Sequence, residues 1–372
     1  MATSRTSCIG ILTSGGDCPG LNAAIRGVAK AAIGEYGMRV VGFHDGFRGL
    51  VENRFTVLED RDVSGILTQG GTILGTARDR PDRMFFDGEE RDTTATAAHN
   101  LRDHGVQCLV CLGGGGTQRN ANHLRTVGGV DVLTLPKTID NDVAETDVTF
   151  GFDSAMSIAS EAIDRLHTTA TSHHRIIVCE VMGHDSGWLA LGAGLAGGAD
   201  VVLIPEIPYD LEVVARHLQQ RRESGKRFSI VAVAEGALSA IEAANGWRER
   251  EERRVVIEHD ETGRPYHLVQ EPKASRIARE LQRLTGTEAR VTSLGHVQRG
   301  GSPSARDRLL STLLGTKAAE LLAAGAYNVM VAIRGERCEP VPLERVAGRK
   351  KRLPLDHPWI GSARLVGTCL GQ

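Results

Sequence analysis

Lys137, Thr138, Asp140 and Asp142 fall within six residues of one another, directly after the apolar run Val130–Leu135. A cation, a hydroxyl and two carboxylates at the end of a buried strand are the groups that a phosphoryl transfer uses. The cation and hydroxyl hold the moving phosphate, one carboxylate accepts an alcohol proton, and the other serves a magnesium ion or its waters. Taken alone, the stretch also reads as a polar loop with ordinary turn chemistry. Three further stretches, far apart in the chain, share its phosphate-handling character: Thr13-Ser-Gly-Gly-Asp-Cys-Pro-Gly-Leu-Asn22, Leu112-Gly-Gly-Gly-Gly-Thr117 and Leu294-Gly-His-Val-Gln-Arg-Gly-Gly-Ser-Pro303.

In the first of these, Gly15 and Gly16 let the backbone approach a phosphate and Asn22 opens the helix that follows. Backbone N–H groups at a helix start favour an anion by roughly 0.3–1 kcal/mol. Gly113–Gly116 forms a second such loop, and Thr117 adds a hydroxyl. It is neither a P-loop nor a dinucleotide fingerprint, because no Gly-Lys-Ser/Thr follows and the G-x-G-x-x-G spacing is absent. Arg78 follows another glycine turn and reads equally as a phosphate contact or a solvated surface arginine. Arg175 comes directly before a strand and Arg290 before the Leu294 motif, which itself carries His296 and Arg299. Three arginines and a histidine suit a second phosphate on the acceptor. Glu235 stands where a sugar hydroxyl needs an acceptor, or else caps Gly236.

The elements that must position these residues repeat as apolar strand, glycine-rich turn and amphipathic helix. Strands are expected at Cys8–Leu12, Arg39–Phe43, Val106–Leu112 and Val130–Leu135, then at Arg175–Val181, Val201–Ile204 and Phe228–Ala234. Their runs lack polar alternation, as in parallel sheets covered on both faces. Asp153 reads as the N-cap of a helix lined by Met156, Ala159, Ile163 and Leu166; Ile277, Leu281 and Leu284 line another that ends at Gly286. Trp247–His267 reads as a solvated hairpin and Gly348-Arg-Lys-Lys-Arg352 as a solvated tail. The sum is an α/β protein with mainly parallel, doubly wound sheets. In such sheets ligands bind beyond the carboxyl ends of the strands, where the four motifs fall.

Bulk numbers narrow the field. A chain of 372 residues favours about two domains, and 41% hydrophobic with 24% charged residues is ordinary for a globular protein. A net charge of −2 argues against a nucleic-acid binder. No apolar run is long enough to span a bilayer. The first strand-like run begins at about Cys8, which leaves no room for a signal peptide. Seven scattered cysteines suit reduced thiols in a cytoplasm. Cys108 and Cys111 lie three apart in a strand, on opposite faces, and so cannot share a metal.

Thr13-Ser-Gly-Gly-Asp, Pro136-Lys-Thr-Ile-Asp-Asn-Asp142, Ser172-His-His-Arg175, Glu180-Val-Met-Gly183 and the Leu294–Pro303 motif stand in the order found in the large ATP- or pyrophosphate-dependent phosphofructokinase family, which the chain resembles over nearly its whole length. The resemblance implies two Rossmann-like domains with the active site in the cleft between them. Residues 1–151 with about 298–347 would form a phosphoryl-donor domain, and 152–297 with about 348–372 a sugar-phosphate domain. It implies transfer of a phosphoryl group from ATP to the C1 hydroxyl of fructose 6-phosphate, a glycolytic step, with Mg2+. Asp140 would be the base, Thr138 and Lys137 would steady the phosphoryl group, and Asp142 would support the magnesium shell. Gly16, Arg78, Asp79, Gly114, Gly115, Gly116 and Thr117 would hold the donor. Thr138, Ile139, Asp140, Met182, Gly183, His184, Glu235, His296 and Arg299 would hold the sugar phosphate. Arg175 and Arg290 match residues that the family's homotetramers supply across a subunit boundary.

Two departures from the family pattern stand out. Where members usually carry the magnesium-serving Asp of Gly-Gly-Asp-Gly, this chain has Gly115; where many have Met-Gly-Arg, it has Met182-Gly-His184. The donor signals also pull apart. Gly116 leaves open the space that a second Asp fills in pyrophosphate users, which favours ATP, whereas Lys137 matches the lysine of pyrophosphate enzymes. The alternatives are pyrophosphate as donor, another ketose phosphate as acceptor, or a catalytically weakened regulatory homologue.

Overall fold

The structure is a computed structural model that describes residues 4–86, 88–246 and 271–372, together with the strands Ile257–His259 and Pro265–His267. It divides into two compact units, Met1–Ser154 with Arg299–Lys351 and Ala155–Gln298 with Arg352–Gln372.

The first unit is built on a seven-stranded sheet. Its strands are β1 (Cys8–Ser14), β2 (Arg39–Phe43), β3 (Phe55–Leu58), β6 (Cys108–Gly113), β7 (Val132–Pro136), β14 (Val329–Arg334) and β15 (Arg337–Pro342); β4 (Met84–Phe86) and β5 (Glu89–Arg91) form a separate ribbon. The order is β15-β14-β7-β6-β1-β2-β3, with the five inner strands parallel and β3 and β15 antiparallel at the edges. β1 and β6 are buried along their whole length, because helices cover both faces of the sheet. Leu12, Phe43, Leu109 and Leu124 belong to one core cluster of this unit. Each such side chain contributes about 1.5–3 kcal/mol by leaving water. The helices Leu21–Gly34 and Ala305–Ala323 cross at Gly27 and Gly315, where a Cβ on Gly315 would lie 2.8 Å from the Val28 nitrogen. Only glycine permits that approach.

The returning segment is locked to the first by a buried carboxylate. Asp307 Oδ2 accepts from the Ser154 N–H at 2.8 Å and its hydroxyl at 2.6 Å, and Ser304 donates to Ser154 and Asp153. Burial pushes the Asp307 carboxyl from 3.8 up to about 6, against the lowering effect of the Ser154 bonds. The folded state therefore keeps this proton to higher pH than the unfolded chain. The charge-burial cost is absent below about pH 4 and complete above about pH 6, where it is on the order of 3 kcal/mol. Asp307→Asn should thus gain stability relative to the parent as pH rises from 4.5 to 7.5. Urea unfolding at both pH values reads this, and a difference that stays constant contradicts it.

The second unit carries a four-stranded parallel sheet in the order β13-β8-β10-β9, with β8 (Ile176–Val181), β9 (Val201–Leu203), β10 (Ser229–Ala234) and β13 (Ala289–Ser293). β11 (Ile257–His259) and β12 (Pro265–His267) pair antiparallel. The rest of the expected hairpin, 247–256 and 260–264, lies outside the described residues. The helix Lys273–Thr285 ends at Gly286 in a left-handed cap, as expected.

Three local readings are corrected. Asp153 is not a cap: the helix runs Phe152–His173, Asp153 lies in its first turn, and its carboxylate serves Ser304. Asn22 follows the helix-opening residue Leu21, and its amide ties down the 69–73 loop through Gln69, Gly70 and Ile73. The basic run 348–352 is a solvated tail only in part, for Arg349, Lys350 and Arg352 are exposed. Lys350 bridges to Val143, and Lys351 turns inward, where burial pushes its ammonium down to about 8 while Asp147 and Asp142 oppose the shift.

Candidate active site

In an open parallel sheet the ligand site opens where the strand order reverses. In the first unit that point lies between β1 and β6, and the two glycine turns follow these strands. The β1 turn is pinned from the side: Gly15 N–H donates to Ala77 O at 2.9 Å and the Thr76 hydroxyl donates to Gly15 O at 2.6 Å. Arg78, on that same loop, is exposed. Its neighbour Asp79 accepts from Arg48 with both carboxylate oxygens, so it anchors the loop rather than standing open to a ligand.

After β6, the helix Gly115–Thr126 starts without a side-chain cap. Its first N–H groups therefore face outward with a positive end dipole. A Cβ at Gly115 or Gly116 would meet nothing within 4 Å, so both positions are open. Gly113 differs. A Cβ there would lie 2.0 Å from the Thr117 hydroxyl, which donates to Ser14 O at 3.2 Å.

β7 delivers the third loop beside the other two. Lys137 N–H donates to Gly113 O at 3.1 Å, and its ammonium donates to the carbonyl of Gly16. Lys137 is only 3% exposed, and burial lowers its pKa; the Cys18 thiol, Asp140 and Asp17 oppose this while Arg299 adds to it. The lysine is thus a buried strut beneath the glycine turn. The Thr138 hydroxyl accepts from Asp140 N–H at 3.0 Å, and Thr149 donates to Thr138 O at 2.8 Å. Asn141, between the two carboxylates, takes a left-handed φ of 51°. Arg299, expected with the sugar-phosphate residues, belongs to this unit. It donates to Asp17 O at 3.0 Å, and its guanidinium lies against Gly16.

In the second unit the strand order reverses between β8 and β13. The β8 turn carries Met182, Gly183 at φ 150° and His184 at φ 50°. Glu235, at the end of β10, accepts from His184 N–H at 2.7 Å and so braces this turn. The β13 motif is tied to β8 by Leu294 N–H on Glu180 O at 3.1 Å, and His296 follows, exposed. Sequence reasoning missed Glu206, which accepts from Gly187 N–H at 3.0 Å and Leu353 N–H at 3.1 Å and fixes the far side of the same turn.

Arg175 and Arg290 do not join this group. Arg175 precedes β8 and Arg290 pairs with Ile177, so both sit at the opposite, amino end of the sheet from Met182. Strands of this length separate the two ends by roughly 20 Å. There they share Glu288, with Arg175 Nε at 2.5 Å. A cavity of about 720 Å³ also opens on the second unit, beside Asp200, Arg221 and Lys226, and none of the expected site residues lines it.

Among the described residues no cluster of three or more His, Cys, Asp or Glu side chains could hold a metal, and none of the helices is long and apolar enough to cross a membrane. Cys108 and Cys111 are buried free thiols within β6.

The family model for phosphofructokinase matches residues 8–322. A protein of Propionibacterium freudenreichii subsp. shermanii named "ATP-dependent 6-phosphofructokinase" is 53% identical over 370 residues, covering 98% of this chain and 99% of its own. One of the same name from Spirochaeta thermophila is 52% identical over 378 residues, with both chains covered completely. Among solved structures, phosphofructokinase from Saccharomyces cerevisiae superposes with a TM-score of 0.76 at 30% identity. That match covers 92% of this chain, which spans 44% of the yeast chain.

Proposed function

The chain belongs to the phosphofructokinase family, and from that premise we propose that it transfers the γ-phosphoryl group of ATP to the C1 hydroxyl of fructose 6-phosphate, giving fructose 1,6-bisphosphate in glycolysis. The observation that carries this reading is the meeting of three loops at one switch point: Gly15–Gly16 after β1, Gly114–Thr117 after β6 and Lys137–Asp142 after β7. Backbone N–H groups can cradle an anion there, and the carboxylates Asp140 and Asp142 stand on the loop that follows the neighbouring strand.

The first unit acts as the donor unit. Gly16, Arg78 and Gly114–Thr117 bind the phosphates of ATP, with Asp79 holding the Arg78 loop and Lys137 supporting Gly16 from below. Asp140 takes the proton of the C1 hydroxyl as it attacks, and Thr138 steadies the group in transit. The second unit acts on the sugar phosphate through Met182, Gly183, His184 and His296, with Glu235 accepting a sugar hydroxyl; Ile139 and Arg299 belong to the first unit.

Divalent metal fits this site in one way. Gly115 offers no carboxylate and no cluster of protein ligands exists among the described residues, so Mg2+ would arrive mainly with the donor's phosphates, and Asp142 would be the residue that supports it. When bound, it neutralises charge on the transferred group.

Arg175 and Arg290, at the amino end of their sheet, serve the phosphate pocket of a neighbouring copy in a homotetramer. Inactive Asp140→Asn and Arg290→Ala chains, mixed under conditions of shown subunit exchange, should then regain partial activity. Exchange without recovery contradicts sharing. The free thiols suit a cytoplasmic enzyme. The reaction itself is tested by phosphorus NMR of the product formed from fructose 6-phosphate and MgATP. A new C1 phosphate is expected, and phosphorylation elsewhere or none contradicts the reading.

A further inference from the structure

Lys351 lies 210 positions after Asn141, yet its ammonium reaches Asn141 Oδ1 at 2.8 Å, together with Thr146 O at 3.0 Å and Asp147 O at 2.9 Å. Its backbone N–H donates to Asp142 O at 2.8 Å. An ammonium has three donors and no acceptor, so it suits a pocket built of three oxygens. Asn141 Oδ1 also accepts from Thr149 N–H at 3.2 Å, and Thr149 is in turn bonded to Thr138 O. Asn141 is 3% exposed and Thr149 is fully buried. Asn141 holds a backbone conformation that non-glycine residues adopt seldom, and it does so midway between Asp140 and Asp142.

We propose that Lys351 is a positioning residue for phosphoryl transfer: by gripping Asn141 and the Asp142 carbonyl, it fixes the backbone of the loop that carries both carboxylates. It touches no reactant and acts through Asn141. Lysine suits the role because three separately placed oxygens need a compact charge with rotatable donors. The planar fork of arginine cannot meet all three. Arg349, two positions earlier, is exposed.

The inference rests on the role given to Asp140, so one arm of its test does not depend on turnover. In the full chain carrying Lys351→Met, amides from Asp140 to Asp147 should exchange hydrogen at least ~10-fold faster than in the parent, with β7 unchanged. With MgATP and fructose 6-phosphate, kcat should fall by roughly 30-fold or more while both KM values stay within about threefold, since a misplacement of about 1 Å costs on the order of 10²-fold. In an Asn141→Ala background the same substitution should add less than about threefold, because residues acting through one another are not additive. Arg349→Met should match the parent. Unchanged exchange in the loop overturns the proposal, as does a kcat within about threefold of the parent, or full additivity with Asn141→Ala. If Lys351→Met does not fold, Lys351→Arg is read instead: a lowered kcat with retained KM supports the role, and a parental kcat overturns it. A parent without turnover would defeat the reaction assigned above, and the exchange arm would still decide this one.

Discussion

Asp140→Asn is expected to lower kcat by about 10²–10⁴-fold, the range that a general base contributes, while KM for MgATP and fructose 6-phosphate stays within about threefold. The substitution keeps the shape and the backbone N–H that donates to Thr138 Oγ1. The loop is held from outside the side chain by Thr149 and Lys351, so the fold should be retained. What disappears is the acceptor for the C1 proton. Initial rates with a matched thermal unfolding curve decide it. A variant within about threefold of the parent rate, folded, places the base elsewhere.

Gly116→Asp is expected to cut kcat/KM for MgATP by about 10²-fold or more without destabilising the protein. Nothing lies within 4 Å of a Cβ built there, and the position is in the first turn of the helix Gly115–Thr126, where a carboxylate favours the helix dipole. The fold thus accepts the residue. The donor does not, because the new charge stands among the N–H groups that bind phosphate, and a like-charge juxtaposition costs several kcal/mol. Steady-state rates with MgATP and with magnesium pyrophosphate read the effect on each donor. Retention of MgATP activity within about threefold would show that the α-phosphate lies away from this position.

Much of the donor-side site was legible because its parts announce themselves locally. An apolar run without alternation marks a covered parallel strand, and a glycine cluster at its end marks a close approach to the backbone. Both signals are short-range, and β1, β6 and β7 with their turns follow from them to within two residues at most boundaries. The closing segment was not legible in the same way. The helix Ala305–Ala323 exposes Leu309 and Leu313 and packs through glycine, so its apolar stripe is blurred, and β14 and β15 were missed beside it.

Long-range pairings were hidden for a different reason. Lys351 reads as part of a charged tail because a run of basic residues is usually solvated; only the fold brings it to Asn141. Glu206 carries no motif, and its worth lies in two backbone N–H groups it receives from separate segments. Arg175 and Arg290, expected to serve a neighbouring copy, lie far from Met182 within their own chain. Parallel register separates them, because residues that precede a strand and residues that follow it lie at opposite ends of the sheet. The motif Leu294–Pro303 is itself divided between the two units, between Gln298 and Arg299.

The central claim, an ATP-dependent phosphotransfer through an open glycine loop, is tested most directly by comparing the two donors. At saturating fructose 6-phosphate and matched free magnesium, kcat/KM is measured for MgATP and for magnesium pyrophosphate on the same preparation. Gly115 and Gly116 leave room for the α-phosphate, and the account predicts a preference for MgATP of about tenfold or more. A preference for pyrophosphate of that size, or no turnover with either donor, would contradict it.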